Sequence, residues 1–361
     1  MPWTRPDEKE KAVIAEQYRN VINDERTSLL PTTNVSLSSS NSALLSVTAG
    51  GGGGGTRSEA IGLTIMALCA LTYSIMNLLI KSTGSFVPSF QIAFVGSAVE
   101  TVLSLATCQF LKINPSGPRC QRPWMIVRGV SGAIALAAIL YSMTHMPLGD
   151  ATVIVYLNPV FTAILAAIIL HEPYHWFEGV STILCLLGTT LVTQPGFLFG
   201  AGSHTDGNNH EETIGAVTAL VGAFVVAIEY IAVRKVGEAA HFMVIVVYSA
   251  TSTFLMSIPL LFTFQKFVWP QSWYQYCALF MIGVMQFASH CLMGKGLQLA
   301  PAGPASVMRM SEVAYAFLFG MLVFNEYPNL VTLTGVVIIV VTTSALAWRK
   351  WSRANSIARH G

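Results

Sequence analysis

The stretch that decides the fold is MPLGDATVIVYLNPVFTAILAAIILHEP at residues 146–173, because the chain repeats its pattern 154 positions later. The second copy lies in LQLAPAGPASVMRMSEVAYAFLFGMLVFNE at residues 297–326, and the shift pairs Glu172 with Glu326. Each copy holds an apolar run of about 20 residues, the length that crosses a hydrocarbon core of about 30 Å as a helix. The sequence therefore predicts a membrane protein with an internal repeat.

The composition also places the chain among integral membrane proteins. Of its 361 residues, 53% are apolar and 11% are charged, whereas about a quarter of the residues in a typical soluble domain are charged. A soluble protein of this size could not cover its surface with so few charges. Ten apolar segments with short breaks follow one another, at residues 60–80, 88–111, 124–145, 149–170, 174–193, 213–234, 241–264, 274–298, 303–324 and 329–349.

These segments are apolar on all sides, which predicts helices rather than the alternating strands of a barrel. The repeat divides them into two sets of five, and an odd number of crossings turns the second set upside down relative to the first. The predicted fold is an all-α integral membrane protein with ten transmembrane helices in two inverted five-helix repeats. The predicted domains are a flexible tail at 1–58, the repeats at 59–194 and 213–349, the loop between them at 195–212, and a tail at 350–361.

Lysine and arginine residues near the segment ends predict which side faces the cytosol. One side, called the basic side below, carries ten of them, whereas the other carries only Lys81 and Lys266. The basic side is therefore expected to be cytosolic, with both tails on it and the loop 195–212 on the opposite, extracytosolic or lumenal side. The ten residues are Arg57, Lys112, Arg119, Arg122, Arg128, Arg234, Lys235, Arg349, Lys350 and Arg353.

The N-terminal tail contains an acidic dileucine pattern, ERTSLL, in which Glu25 precedes Leu29 and Leu30. Clathrin adaptor proteins recognise such patterns in exposed cytosolic tails, so the pattern predicts sorting to endosomes, lysosomes or a vacuole. A plain pair of linker leucines is the alternative, and the plasma membrane, the Golgi and the endoplasmic reticulum remain open as locations.

The repeated stretches resemble the drug/metabolite transporter superfamily in its EamA-like branch, since both open on a small-residue turn and end in Glu. Within that superfamily the chain resembles the G-type members of solute carrier family 35. The resemblance covers residues 59–350 and implies a ten-helix transporter whose central cavity is lined mainly by helices 1, 3, 4, 6, 8 and 9. Its cues are RGVSGAIALAAILYSM at 128–143, PGFLFG at 195–200 and KGLQLAPAGP at 295–304.

Ionisable side chains inside a bilayer are costly unless they are paired or face water, so each is a candidate site residue. Arg309 lies about two turns inside segment 9, and Glu312 follows three residues later on the same helix face. They predict a cation that binds an anionic solute, with Glu312 holding or releasing it. A structural ion pair is the alternative.

Lys295 is the candidate second point of a clamp for a carboxylate or phosphate, or it snorkels to the membrane surface. Arg128 is a candidate gate at the inner mouth, or a simple flank of the basic side.

Three further residues are candidate proton carriers: His290, Glu100 and Glu229. A histidine titrates near neutral pH, and burial favours the neutral form of a carboxyl group. The alternatives are a packing histidine held by a hydrogen bond, and carboxylates paired with Arg or Lys on neighbouring helices.

The repeat extends the candidate site to the first half of the chain, because the shift pairs Lys295 with Tyr141 and Glu312 with Asn158. Tyr141, Asn158 and the nearby Tyr156 are therefore predicted to meet the same cavity. The proline after Asn158 removes one backbone hydrogen bond, which predicts a local break that exposes carbonyls to solute, or else a plain packing kink. A cavity with cations in one repeat and neutral polar groups in the other favours anionic or polyhydroxylated solutes.

Glu172 and Glu326 end segments 4 and 9 on opposite sides. As repeat mates they are expected to cap loops or contact helices rather than bind solute.

The predicted function is a secondary transporter that moves a small organic anion, a carboxylate or a phosphorylated metabolite, by alternating access. A nucleotide-sugar transporter is the alternative within transport, and a non-transporting membrane scaffold is the alternative from another class. An enzyme is not expected, because no nucleophile with a base shares one membrane depth. No cofactor, metal site or nucleic-acid partner is predicted, and the oligomeric state is left open.

Overall fold

The computed structural model describes residues 52–84, 87–146, 148–172, 175–199, 209–264, 267–324 and 329–360. Within these ranges the regular structure is entirely helical, and ten helices are long and apolar enough to cross a membrane. They are α1 Gly52–Thr83, α2 Ser89–Phe110, α3 Arg122–His145, α4 (Leu148–Val155, Asn158–Leu165 and a π-helical turn Ala166–Leu170), α5 Trp176–Thr193, α6 Asn209–Val236, α7 Phe242–Phe264, α8 Trp273–Leu299, α9 (Ala302–Arg309 and Ser311–Phe324) and α10 Leu330–His360.

Two helices extend into the tails that the sequence predicted. Helix α1 begins at Gly52 rather than at residue 59, and α10 continues to His360 rather than ending at 349. Extending an existing helix adds one hydrogen bond for each residue fixed, so a membrane helix carries its flanks along at little cost. The rest of the N-terminal tail, including Glu25, Leu29 and Leu30, lies outside the described residues.

The two repeats are related by a pseudo-two-fold arrangement. Helix α1 packs on α8 as α6 packs on α3, and α2 packs on α7 as α5 packs on α10. Gly129 and Gly283 are 154 positions apart. Gly129 lets α3 lie against α7, and Gly283 lets α8 lie against α2, at distances that leave no room for a Cβ. Small residues at such crossings allow membrane helices to pack closely. The predicted ten-helix fold with two inverted repeats is confirmed.

Helices α4 and α9 are broken at mated positions. The break in α4 falls at Tyr156 and Leu157, and the break in α9 falls at Met310, the repeat mate of Tyr156. The breaks lie well inside the helices, about 12 Å from the helix start at 1.5 Å per residue. Each break places the end of one half-helix and the start of the next inside the bundle. Short hydrogen bonds carry the backbone through, from Leu157 N–H to Ile154 and from Met310 N–H to Val307.

Glu172 joins three helices on the basic side. The π-helical turn ends with His171 in a left-handed conformation, φ 55°, and this turns the chain toward α9. Glu172 Oε2 then accepts a hydrogen bond from the N–H of Ala302 at 3.0 Å, and its Oε1 pairs with Arg234 Nε at 2.6 Å. Arg234 also donates to the carbonyl of Gln298 at 2.8 Å. The predicted capping and helix-contact role of Glu172 is confirmed, whereas Glu326 lies outside the described residues.

Candidate transport site

Arg309 and Glu312 form an ion pair at the break of α9, with Nη2 and Oε2 2.9 Å apart. Arg309 is the last residue of the first half-helix, and Glu312 lies in the first turn of the second. The negative end of one half-helix dipole therefore faces the cation, and the positive end of the other faces the carboxylate. Both side chains are largely buried, at 17% and 8% exposure, so the predicted candidates do meet at the centre of the bundle.

Helix α1 supplies the other partners of this ion pair. Asn77 Nδ2 donates to Glu312 Oε1 at 2.6 Å, and Ser74 Oγ donates to the Glu312 carbonyl at 2.7 Å. The guanidinium carbon of Arg309 lies 3.4 Å from the ring centre of Tyr73. This stacking leaves the in-plane N–H groups free for other partners. Arg309 Nε is buried and has no hydrogen-bond partner among the described residues.

Three tyrosines from three helices surround the pair. Tyr73 of α1, Tyr156 of α4 and Tyr230 of α6 all lie within electrostatic reach of Arg309 and belong to one packed cluster. Tyr156 is therefore brought to the predicted site. The central cluster, defined as Arg309, Glu312, Tyr73, Tyr156 and Tyr230, combines one cation, one anion and three aromatic rings.

A second buried ion pair lies beside the cluster. Arg128 Nη2 of α3 is 2.8 Å from Glu229 Oε1 of α6, and the Arg128 side chain is only 2% exposed. Gly132 gives it room, since a Cβ there would lie 2.8 Å from Arg128 Nη1. The interpretation of Arg128 as a flank of the basic side is wrong, because its long side chain runs inward along α3 to reach a carboxylate. The alternative in which Glu229 pairs with a cation on a neighbouring helix is borne out.

Glu100 also has a partner, but the partner is a histidine. His290 Nδ1 of α8 lies 2.5 Å from Glu100 Oε1 of α2, and Gln286 Nε2 donates to Glu100 Oε2 at 2.8 Å. Glu100 is completely buried, and the His290 side chain is 13% exposed. Two of the three predicted proton carriers are therefore one pair.

Family models of EamA-like transporters match residues 60–194 and 213–348. The chain belongs to the EamA-like transporter family. It is 28% identical to solute carrier family 35 member G1 of Homo sapiens, over 82% of this chain and 81% of that protein. It is 27% identical to the pseudopaline exporter CntI of Pseudomonas aeruginosa, over 80% and 96% of the two chains.

More distant matches agree with this family. The S-adenosylmethionine uptake transporter of Rickettsia prowazekii is 25% identical over 78% of this chain and 90% of that protein. A solved crystal structure superposes with a TM-score of 0.68 over 80% of this chain and 98% of that chain, at 18% identity, and so shares the fold. This EamA-like protein is a multi-pass membrane transporter for a small molecule, and it is not an enzyme.

Asn158 has a structural task in this EamA-like fold. Pro159 has no N–H to donate to the carbonyl of Val155, four residues earlier. Asn158 Nδ2 donates to that carbonyl instead, at 3.1 Å. This contact favours the alternative of a plain packing kink at the Val155 carbonyl, and the exposure of carbonyls at the break to solute stays a prediction.

Lys295 and Tyr141 lie near opposite ends of the EamA-like bundle. Lys295 precedes the end of α8 on the basic side, and its charge acts on His241 in the α6–α7 link. Partial burial, and then the positive charge of Lys295, hold the pKa of His241 below its usual value. Tyr141 stacks on His145 at the other end of α3, with ring centroids 4.2 Å apart. Among the described residues, no hydrogen bond or ion pair joins Lys295 to Arg309.

Sequence reasoning missed Tyr73, Asn77 and Tyr230 of this EamA-like site. Tyr73 and Asn77 are four residues apart on one face of an otherwise apolar segment, and Tyr230 directly follows Glu229. That spacing in α1 was the available signal, since polar groups one turn apart share a helix face.

Proposed function

We propose that this EamA-like protein is a secondary transporter that moves a small organic anion, a carboxylate or a phosphorylated metabolite, through the central cluster. The observation that carries the proposal is Arg309, a buried guanidinium with a hydrogen-bond donor, Nε, that has no partner among the described residues. Guanidinium groups bind carboxylate and phosphate oxygens through paired N–H donors, more strongly than neutral donors do.

In this proposal the anionic solute displaces the Glu312 carboxylate from the Arg309 guanidinium. Tyr73 holds Arg309 by its face, so the edge of the guanidinium is available to an incoming oxygen. Glu312 keeps the Asn77 amide when Arg309 turns away. This matters because a buried carboxylate without any donor is costly. The ion pair thus acts as a resting contact that an anionic solute replaces.

Alternating access requires that each side of the bundle closes and opens in turn. The contacts of Glu172 with Arg234 and Ala302 tie α4, α6 and α9 together on the basic side, and so support a closed state there. The opposite side carries neutral contacts, such as Gln194 Nε2 to Thr332 Oγ1 at 2.9 Å. The relatives include a protein named as an exporter and one named as an uptake transporter, so both directions fit this fold.

Exchange in liposomes tests the proposed function. The purified full chain is reconstituted in vesicles, which are loaded in turn with succinate, citrate, glycerol phosphate or a nucleotide sugar, and uptake of the same labelled solute is measured. We expect exchange of at least one carboxylate or phosphate, well above that of empty vesicles. Exchange of nucleotide sugars alone would support that alternative, and no exchange of any solute would support the scaffold and overturn the proposal.

The basic side faces the cytosol in this proposal, and the N-terminal tail then presents Glu25, Leu29 and Leu30 to clathrin adaptor proteins. We expect the double variant Leu29→Ala with Leu30→Ala to move from intracellular membranes to the cell surface, because adaptors bind the leucine pair. Surface biotinylation of the tagged full chain measures the shift. An unchanged surface fraction would contradict the sorting role.

A further inference from the structure

The pair of Glu100 and His290 is polar where the fold does not require polarity. Their repeat mates are Phe254 on α7 and Leu136 on α3. Phe254 stacks on Phe94 of α2 with ring centroids 5.3 Å apart, and Leu136 lines a small gap between α3 and α7 together with Met256 and Leu260. Apolar side chains therefore stand at the mated positions, and a buried carboxylate and imidazole at the crossing of α2 and α8 carry a desolvation cost that the mated crossing of α7 and α3 avoids. A functional role of Glu100 and His290 would explain why polar side chains are buried here despite their desolvation cost.

The pair of Glu100 and His290 has no net charge when it holds one proton more than a carboxylate beside a neutral imidazole. With that proton, it is either a carboxylate beside an imidazolium or a carboxylic acid beside a neutral imidazole, and both forms have no net charge. Without it, a net negative charge remains in a buried site, which is strongly disfavoured in the membrane. His290 Nδ1 and Glu100 Oε1 lie within hydrogen-bond distance, so one proton can lie between them.

The pair is linked to the central cluster through one ring. The edge of Tyr73 meets His290, with ring centroids 5.9 Å apart at 71°, and the face of the same ring carries Arg309. Ser289, the neighbour of His290, also binds Thr72 on α1 at 3.0 Å. A change of partner at Arg309 therefore acts on His290 across a single aromatic side chain.

The other ionisable groups around the pair are few. Tyr73 faces the pair from α1, Cys291 lies near Glu100, and Cys108 lies near Cys291. Helix α7 has no acidic or basic residue in Phe242–Phe264. Among the described residues no lysine or arginine contacts the pair, so a proton is the cation that balances it.

We propose that Glu100 and His290 form a proton-binding site that couples transport to the pH gradient, one proton moving with each anion. The inference rests on the proposed anion site at Arg309. A proton from water on one side binds the pair, and the same proton leaves to water on the other side after the bundle has changed its access. The anion attracts the proton because the two charges lie on either side of Tyr73, and by linkage the proton strengthens anion binding equally.

Transport under an imposed pH gradient tests the coupling in the reconstituted full chain. Succinate, citrate and glycerol phosphate serve as probes, with the membrane voltage held at zero. With the outside about one pH unit more acidic, one proton per anion supports about tenfold accumulation, since one pH unit is a tenfold ratio of proton activity. We expect wild type to approach that accumulation, and Glu100→Gln and His290→Gln to lose it while still exchanging solute at equal pH.

Glu59→Gln is the matched control. Glu59 is a carboxylate at the start of α1 that pairs with Lys350, and Lys350 keeps Glu178 as a partner at 3.1 Å. The control variant should accumulate solute as wild type does. Accumulation by Glu100→Gln equal to wild type would overturn the proton site, and so would a wild type that exchanges solute without any response to the gradient.

A solute-free measurement separates this inference from the proposed function. Ring-nitrogen NMR of the full chain in detergent, with the His290 signal assigned from His290→Gln, follows proton binding directly. We expect the His290 ring signal to report proton binding in wild type, and this response to pH to change in Glu100→Gln, because the two side chains share one hydrogen bond. If no probe exchanges but this titration is seen, the proposed function fails and the proton site stands. If the His290 signal does not respond to pH, or responds in the same way in Glu100→Gln, the proton site is wrong.

Discussion

Substitution of Arg309 by alanine is expected to reduce anion exchange by about 100-fold, since hydrogen bonds to a charged group contribute about 1.5–3 kcal/mol each. The guanidinium is the buried cation of the central cluster, and alanine leaves no donor in its place. Arg309→Lys keeps the charge but loses the planar pair of donors and the stacking on Tyr73. We therefore expect the lysine variant to retain part of the exchange. Initial exchange rates in liposomes measure all three proteins.

The alanine variant also leaves Glu312 without its cation, so a second variant separates binding from folding. Arg309→Ala with Glu312→Gln removes both charges and restores neutrality, yet exchange should stay low. Arg349→Ala is the matched control, because Arg349 also stacks on an aromatic ring, that of Phe177 at 4.2 Å, but at the basic end of the bundle. Exchange at the wild-type rate by Arg309→Ala and by the double variant would exclude Arg309 from the site.

Glu229→Gln is expected to cause the largest loss of stability. It leaves the Arg128 charge buried without a counter-charge, and removing one partner of a buried ion pair destabilises by about 3–5 kcal/mol. Two nitrogens of Arg128, Nε and Nη1, already have no hydrogen-bond partner among the described residues. Denaturant unfolding in mixed micelles measures the change in the free energy of unfolding.

The second repeat supplies the control for this ion pair. The mates of Arg128 and Glu229 are Ile282 and Ile75, so the same crossing of helices also exists with two isoleucines. We expect Arg128→Ile with Glu229→Ile to unfold closer to wild type than Glu229→Gln does, because an apolar pair carries no desolvation cost. A double variant less stable than the single one would show that the ion pair stabilises the bundle beyond its charge balance.

The sequence predicted those features that depend on neighbours along the chain. Segment length and the shift of 154 positions were sufficient for the ten helices and the inverted repeats, since a helix crossing the membrane must satisfy its own backbone. Arg309 and Glu312 were predicted as a pair because three residues on a helix bring side chains to one face. The capping role of Glu172 followed from its place at the end of a helix.

Contacts between distant helices could not be derived in this way. Glu100 and His290 are 190 positions apart, and Arg128 and Glu229 are 101 apart. Each residue was a candidate by itself, but which partner it meets depends on how the helices pack. Tyr73 was missed for the same reason, since its ring becomes part of the site only when α9 lies against α1. The bond from Asn158 to the Val155 carbonyl is local and follows from Pro159, which has no N–H to donate, whereas a role of Asn158 toward solute stays a prediction.

The broken helices α4 and α9 have residues with different partners at one pair of repeat-mated positions. In α4 that position is Asn158, whose amide is committed to the backbone, whereas in α9 it is Glu312, whose carboxylate is committed to a side chain. Helix α9 needs no such repair, because Val313 stands where α4 has Pro159 and its N–H bonds to Met310 at 3.1 Å. At this one position, a substitution in α4 therefore disturbs the backbone, whereas a substitution in α9 changes a buried charge. In the proposed transporter, we expect variation of solute preference at Glu312 rather than at Asn158.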